Sequence, residues 1–455
     1  MMEKSSQAGA RGQWGSKIGF ILAAAGSAVG LGNLWKFPYM AGKNGGGAFV
    51  LVYILIVLLM GFTVMLAEIT LGRHTQLNAF GAYRALRKNW GWVGGLGVLA
   101  GFLILSFYSV VGGWVISYLI KSATGVLSQS NPEVFGDMFG SLISSTATPL
   151  VYHAIFMGLT LVIVFRGISG GIEKANKIMM PALFIMIIIL SIRSVTLQGA
   201  SKGLEFLFTP DFSQFTARSF LDAMGQVFFS LSLGMGCMIT YGSYLNREAN
   251  LPQSALSIVL IDTAIALLAG IATLPAVFAF GFEPGQGPGL MFVTLPAVFS
   301  KMPLGTVFAF IFFLLVLFAA LTSAISLLEV VVAYFVDQWK WSRATATIVM
   351  AVVIYLVGVP ASLSMGIWSD ITLLPGLGFF DTYDFIASNV LLPLGGMLLC
   401  VFVGWVWGTK NALYEITSGG RHAFGLAPIW IFLVRFISPI AILIIFIRSV
   451  AVIFQ

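Results

Sequence analysis

Asp262 stands in VLIDTAIALLAG, a carboxylate deep in an apolar run. An ionisable side chain at such depth is a functional candidate, because leaving it charged and unpaired is expensive; a protonated, hydrogen-bonded packing role is the plainer alternative. Two further stretches bring polar backbone rather than charge. SAVGLGN (27–33) and SLSLGMG (230–236) put serines, glycines and an asparagine inside apolar runs long enough to cross a membrane. A helix that breaks there frees carbonyl oxygens and amide N–H groups, tolerated at that depth only where they face a polar cavity or a bound solute. The break turns backbone into ligands. Gly26 and Gly30 also form a GxxxG, a common helix-packing motif, but the paired interruption at 230–236 favours breakage. A dinucleotide fingerprint is excluded, since no strand precedes the glycines. ALTSAIS (320–326) adds the Thr322 and Ser323 hydroxyls, which alone would be a routine pair bonding to the preceding turn.

The elements that must position these groups follow from composition. Of 455 residues, 58% are hydrophobic and 9% charged, with a mean hydropathy of +0.97. A soluble domain needs far more surface charge. Apolar runs of about 20 residues, the length that crosses about 30 Å of hydrocarbon, recur from end to end. Eleven spans are expected, at about 17–41, 47–72, 93–122, 149–166, 176–197, 217–245, 253–281, 303–336, 344–364, 383–408 and 427–453. The first is too long for a removable signal peptide.

A cytoplasmic N-terminus puts Arg73, Arg84, Arg87, Lys88, Arg166, Lys174, Arg247 and Lys340 inside, while the outer segment 123–148 has no Lys or Arg. The positive-inside rule is met, and an odd span count leaves the C-terminus outside. The net charge of +7 therefore reports topology and not nucleic-acid binding. LEFLFTPDFSQF (204–215) and GPGLMFVTLPAVF (287–299) read as short surface helices on the outer face. Cys237 and Cys400 lie in spans as buried thiols, and no Cys/His cluster or Ser–base constellation suggests a transition metal or an enzyme. A channel is disfavoured because the polar groups gather at one midplane site and do not line a pore. The chain forms one all-α transmembrane domain. Breaks in spans one and six suggest a five-plus-five inverted repeat: about 17–197, about 217–408, and an extra helix at about 427–453.

GSAVGLGNLWKFPY, NGGGAF (44–49), AEITLGR (67–73), FFSLSLGMG (228–236), ITYGSY (239–244) and ALTSAIS together resemble the neurotransmitter:sodium symporters. The resemblance covers essentially the whole chain and is closest to the family's bacterial amino-acid transporters. This family is a standard example of inverted repeats with broken helices. It implies a sodium-coupled symporter of hydrophobic and aromatic L-amino acids working by alternating access in the cell membrane. The competing reading is a same-fold transporter of another solute, an osmolyte or a proton-coupled amino acid.

The resemblance implies two sodium ions. The first would meet the Ala28 carbonyl, Asn33, Ser230, Asp262 and the substrate carboxylate. The second would meet the carbonyls of Gly26, Val29 and Ala319 and the hydroxyls of Thr322 and Ser323. Oxygen donors suit a hard cation. The carboxylate would also meet the Leu31 and Gly32 amides at a helix start, where the dipole favours an anion, and the Tyr108 hydroxyl. The amine would face the carbonyls of Ala28, Phe229 and Ser230 with the Ser232 hydroxyl. Ile104, Tyr108, Phe229, Met235, Ser323 and Leu327 would wall the pocket, with Gly234 and Gly236 making room for large substrates.

Monoamine carriers of the family have an aspartate where this chain has Gly30, so the substrate is expected to bring its own carboxylate. The position of Asp262 is usually asparagine in relatives, with chloride or an acid one turn on supplying negative charge; here that residue is Ala266. Arg11 and Asp337, with Trp14 and Tyr244, would close the cytoplasmic side, and Lys36 and Asp384 would frame the outer vestibule. Lysine at 36 lacks the arginine fork usual there, so a looser pair is expected. GIEKANKIMMP, from Gly171 to Pro181, would be a hinge wetting the inner sodium site; an ordinary loop-to-helix boundary is the alternative.

Overall fold

A computed structural model describes residues 12–129, 132–283 and 289–451. Helices dominate, and among the described residues strand pairing is limited to isolated bridges such as Gly46 with Pro210. The first span is two helices, α1 (Lys17–Ala28) and α2 (Gly32–Lys43), bent by 51°. Seven more elements follow in two groups. The first holds α3 (Gly47–Thr75), α4 (Lys88–Ala123), α5 (Thr148–Phe165) and α6 (Ile168–Val195). The second holds α7 (Ala217–Ser230), α8 (Cys237–Gly242) and α9 (Leu251–Ala279). The chain ends with α10 (Gly305–Gln338), α11 (Arg343–Leu363), α12 (Phe379–Val406) and α13 (Ala427–Ala451).

Among the described residues nine helices are long and apolar enough to cross a membrane, ten if the bent pair α1–α2 is one span. The eleventh expected span is the pair α7 and α8. Neither piece has the length to cross alone, because residues 231–236 interrupt them. The segment at 204–215 contributes the end of a helix at Ala200–Phe208 and a short turn at Phe212–Gln214. The second outer segment forms Leu295–Lys301, but it sinks into the protein: Leu295, Ala297, Val298 and Phe299 are buried. Its apolar content is used for packing, not surface cover.

Local chemistry explains where the broken helices begin and stop. The Ser16 hydroxyl accepts from the Gly19 amide at 3.0 Å and starts α1. Thr216 and Ser219 form a reciprocal capping box that starts α7. The first break comes at Val29, whose backbone is extended (φ −72°, ψ 100°). The second contains three left-handed residues, Ser232 (φ 53°), Gly234 (φ 80°) and Gly236 (φ 74°), which no helix accommodates. Spans α4 and α10 are the most enclosed, 83% and 72% buried over their most apolar stretch, against 33% for α5 and α13. The two enclosed helices back the two breaks, and α5 and α13 lie at the periphery of the helix bundle. Cys237 and Cys400 are both buried and free.

Candidate functional site

Both breaks open on one cavity, walled by Ser27, Ala28, Gly30, Leu31 and Gly32 from the first, Phe229, Ser232 and Met235 from the second, and side chains of α4 and α10. Ten of the eleven residues expected to hold substrate line it. The eleventh, Ser230, turns its hydroxyl the other way, donating to Asp262 Oδ2 at 2.8 Å. The Leu31 amide, at the entrance to α2, donates to the Tyr108 hydroxyl at 3.3 Å. That N–H and the Tyr108 hydroxyl thus place two donor groups side by side at the cavity. The Ser232 hydroxyl donates to the Ser27 carbonyl at 2.7 Å, and Ser323 donates to the same carbonyl at 3.1 Å. Ser232 thus braces one break against the other as well as lining the cavity. A side chain at Gly30 has no space, since a Cβ would lie 2.5 Å from Ser323 Oγ and 3.1 Å from Tyr108 Oη.

Asp262 is wholly buried on α9 and joins three elements. Its Oδ1 accepts from Asn33 Nδ2 at 2.8 Å, its backbone carbonyl accepts from the same nitrogen at 3.1 Å, and its Oδ2 takes Ser230. The Asn33 oxygen in turn accepts from the Gly30 amide at 3.2 Å. The second oxygen cluster is equally compact. Thr322 Oγ1 lies 3.0 Å from the Ala319 carbonyl and 3.4 Å from that of Val29, and Ser323 Oγ lies 3.5 Å from Val29. Both clusters offer carbonyl and hydroxyl oxygens enclosed away from water, the donor set a sodium ion prefers.

Gly234 and Gly236 do not make room for substrate. Neither lines the cavity. A Cβ at Gly234 would come 2.3 Å from the Leu392 carbonyl, and one at Gly236 would come 3.0 Å from Ala79 Cβ. Both glycines serve the left-handed backbone, and Gly234 also admits the close approach of α12. The Gly234 amide donates to Glu68 Oε1 at 2.7 Å, so a buried carboxylate on α3 holds the second break open. Sequence reading passed over Glu68, Tyr53 (3.5 Å from Ser230 Oγ) and Gln226, which donates to the Gly32 carbonyl at 2.7 Å.

Of the residues expected to close the cytoplasmic side, Arg11 lies outside the described residues. Asp337 accepts from the amide and side chain of Asn78 at 2.9 and 2.8 Å. Trp14 Nε1 donates to the Tyr241 carbonyl at 2.9 Å, and its ring meets Tyr244 edge-on. The Tyr244 hydroxyl donates to Glu329 Oε1 at 2.6 Å, and Arg343 donates to both oxygens of that carboxylate. Glu329 and Arg343 were not anticipated. Above the cavity, Lys36 Nζ sits 4.4 Å over the Phe229 ring, while Asp384 accepts from Ser388 at 2.7 Å. No ion pair joins Lys36 to Asp384 among the described residues. The segment from Gly171 to Pro181 is wound: a π-turn at Ile168–Glu173 runs into α-helix at Lys174.

Comparison with known proteins agrees along the length of the chain. The family model for the sodium:neurotransmitter symporter family matches residues 11–134 and 143–455. The chain is 46% identical over 442 residues to an uncharacterized sodium-dependent transporter, YhdH, of Bacillus subtilis, covering 97% of this chain and 98% of that one. It is 28% identical over 466 residues to the human sodium- and chloride-dependent GABA transporter 2, covering 90% and 76%. The crystal structure of MhsT in complex with L-phenylalanine superposes with a TM-score of 0.90 at 49% identity, covering 96% of this chain and 100% of that one. Matched over nearly its whole length, the chain belongs to the sodium:neurotransmitter symporter family, a family of transporters and not of enzymes.

Proposed function

We propose that this symporter imports hydrophobic and aromatic L-amino acids into the cell with two sodium ions, by alternating access. The observation that carries the reading is the pairing of the Leu31 amide with Tyr108 at the start of α2, beside a wall of Ile104, Phe229, Met235 and Leu327. A carboxylate replaces that internal bond with two of its own, at a helix N-terminus that favours an anion. The carbonyls of the two breaks take the amine, and the wall takes an apolar side chain. Gly30 leaves the carboxylate to the substrate. Similarity to a protein crystallised with L-phenylalanine supports the same class.

The first sodium is assigned to the Ala28 carbonyl, Asn33, Ser230, Asp262 and the substrate carboxylate. The second is assigned to the carbonyls of Gly26, Val29 and Ala319 with Thr322 and Ser323. The frame is two five-span repeats, 17–197 and 217–408, with the helix at 427–453 added, the N-terminus cytoplasmic and the C-terminus outside. Uptake of labelled amino acids into liposomes under a sodium gradient tests the whole reading. Leu, Ile, Val, Phe, Tyr and Trp are expected to accumulate and charged amino acids are not; accumulation without sodium, or of charged amino acids only, defeats it.

Ser323→Ala removes one oxygen from the second site. The sodium concentration for half-maximal substrate binding is expected to rise about tenfold, because ion and solute binding are reciprocally linked. An unchanged sodium titration removes the residue from the site.

The wound segment at 171–181 is the proposed cytoplasmic hinge. Pro181 interrupts the backbone bonding of α6, and proline inside a helix costs about 3 kcal/mol. Pro181→Ala is expected to hold the segment wound, slowing turnover while substrate binding is retained. Normal transport rates in that variant favour a plain helix boundary.

A further inference from the structure

Asn176 lies within the wound segment on α6, with no exposed surface. Its Nδ2 donates to the Ile172 carbonyl one turn back at 2.9 Å. Its Oδ1 is enclosed and accepts nothing. A buried amide oxygen without a donor bears its full desolvation cost, so such atoms are rare and call for an explanation.

Its surroundings supply one. A Cβ at Gly26 would fall 2.3 Å from Asn176 Oδ1, and the same point is 3.2 Å from Thr322 Cβ and 3.3 Å from Met180 Sδ. The orphan oxygen therefore fills the space that a side chain at 26 would occupy, beside Thr322. Thr322 has no proton to offer, because its hydroxyl is directed at the carbonyls of Ala319 and Val29. Asn176 Oδ1 thus lies beside a residue of the second oxygen cluster that has no proton left for it, and a buried oxygen without a donor is satisfied by a cation stripped of water.

We infer that Asn176 Oδ1 is a further oxygen ligand of the second sodium ion, and that it ties the ion to the hinge. The inference rests on the sodium assignment proposed above. The same side chain holds the Ile172 carbonyl through Nδ2, inside the π-turn at Ile168–Glu173. Unwinding that turn carries Ile172 away and releases the amide, so the ion loses an oxygen as the cytoplasmic path opens. Reciprocally, a bound ion holds the turn wound.

The test uses the purified full chain titrated with sodium, followed by thermal unfolding midpoint and by hydrogen exchange over 168–181. Asn176→Leu keeps the volume without the oxygen, Asn176→Asp keeps an oxygen, and Ser323→Ala is the control. Asn176→Leu is expected to raise the sodium concentration for half-maximal stabilisation about tenfold and to abolish sodium-dependent protection of 168–181. Asn176→Asp is expected to bind sodium at least as tightly as the native chain. If Asn176→Leu does not purify, Asn176→Ala replaces it with the same expectation. Native-like titration of the Leu or Ala variant while Ser323→Ala is weakened overturns this inference alone, as does equal weakening of Leu and Asp variants. Native-like titration of Ser323→Ala overturns the second-site reading beneath it.

Discussion

Asp262→Asn is expected to lose uptake in sodium gluconate and to regain at most part of it when chloride is added, while the native chain works equally in both salts. The reason is the charge balance around the first proposed sodium. Both oxygens of Asp262 accept hydrogen bonds, from Asn33 and Ser230, the pattern of a carboxylate acting only as acceptor. One turn further along α9 stands Ala266, buried and without charge. Asp262 is therefore the single acid placed to balance the ion on that face of the helix. Unit charges about 4 Å apart interact by about 4 kcal/mol at an effective dielectric of about 20. Removing this one is expected to weaken sodium binding roughly a thousandfold. Uptake by both proteins in sodium gluconate and in sodium chloride decides the matter. A native chain that stops without chloride defeats the argument, and so does full activity of Asp262→Asn in gluconate.

The breaks were legible because glycine and serine inside an apolar run oppose helix so strongly that few alternatives remain. What each glycine does was not legible. Gly234 reads as space for a substrate until the Leu392 carbonyl is found against it, because sequence does not reveal which side of a broken helix another chain segment presses on. Glu68 and Glu329 are a different matter. Each is a carboxylate inside an apolar span, the same signal that singled out Asp262, and that rule applied evenly would have marked both. Their partners were hidden: Gly234 is 166 positions from Glu68 and Tyr244 is 85 from Glu329. Residue type shows that a buried charge must be satisfied, whereas the fold alone shows by what. The same holds for Asn176, whose motif pointed to a hinge while its orphan oxygen needed coordinates.

Arg343→Met is expected to unlatch the end of the bundle proposed to face the cytoplasm. Glu329 has no exposed surface and is held by Tyr244 at 2.6 Å and by Arg343, with Arg343 Nη1 at 3.0 Å. Arg343 also donates to the Val164 carbonyl at the end of α5, at 2.9 and 3.2 Å. One carboxylate thus ties α10, α11, α5 and the loop after α8, with Trp14 resting on Tyr244. Removing one partner of a buried ion pair costs about 3–5 kcal/mol, whereas replacing both partners with neutral groups is often nearly neutral. If the latch forms only when the inner side is closed, a cost of that size shifts the gate equilibrium more than a hundredfold. Cys237 reports the shift. It is buried at the start of α8 with its thiol 3.8 Å from Ser326, on the same short helix as Tyr241, whose carbonyl takes the Trp14 indole N–H. In a Cys400→Ser background, Arg343→Met is expected to raise the rate of Cys237 labelling by a water-soluble thiol reagent more than tenfold in sodium-free medium. Adding Glu329→Gln is expected to bring the rate back towards native, because the uncompensated charge is gone. Unchanged labelling in the single variant denies that Arg343 holds the gate. A double variant as reactive as the single one denies that buried charge is the cause.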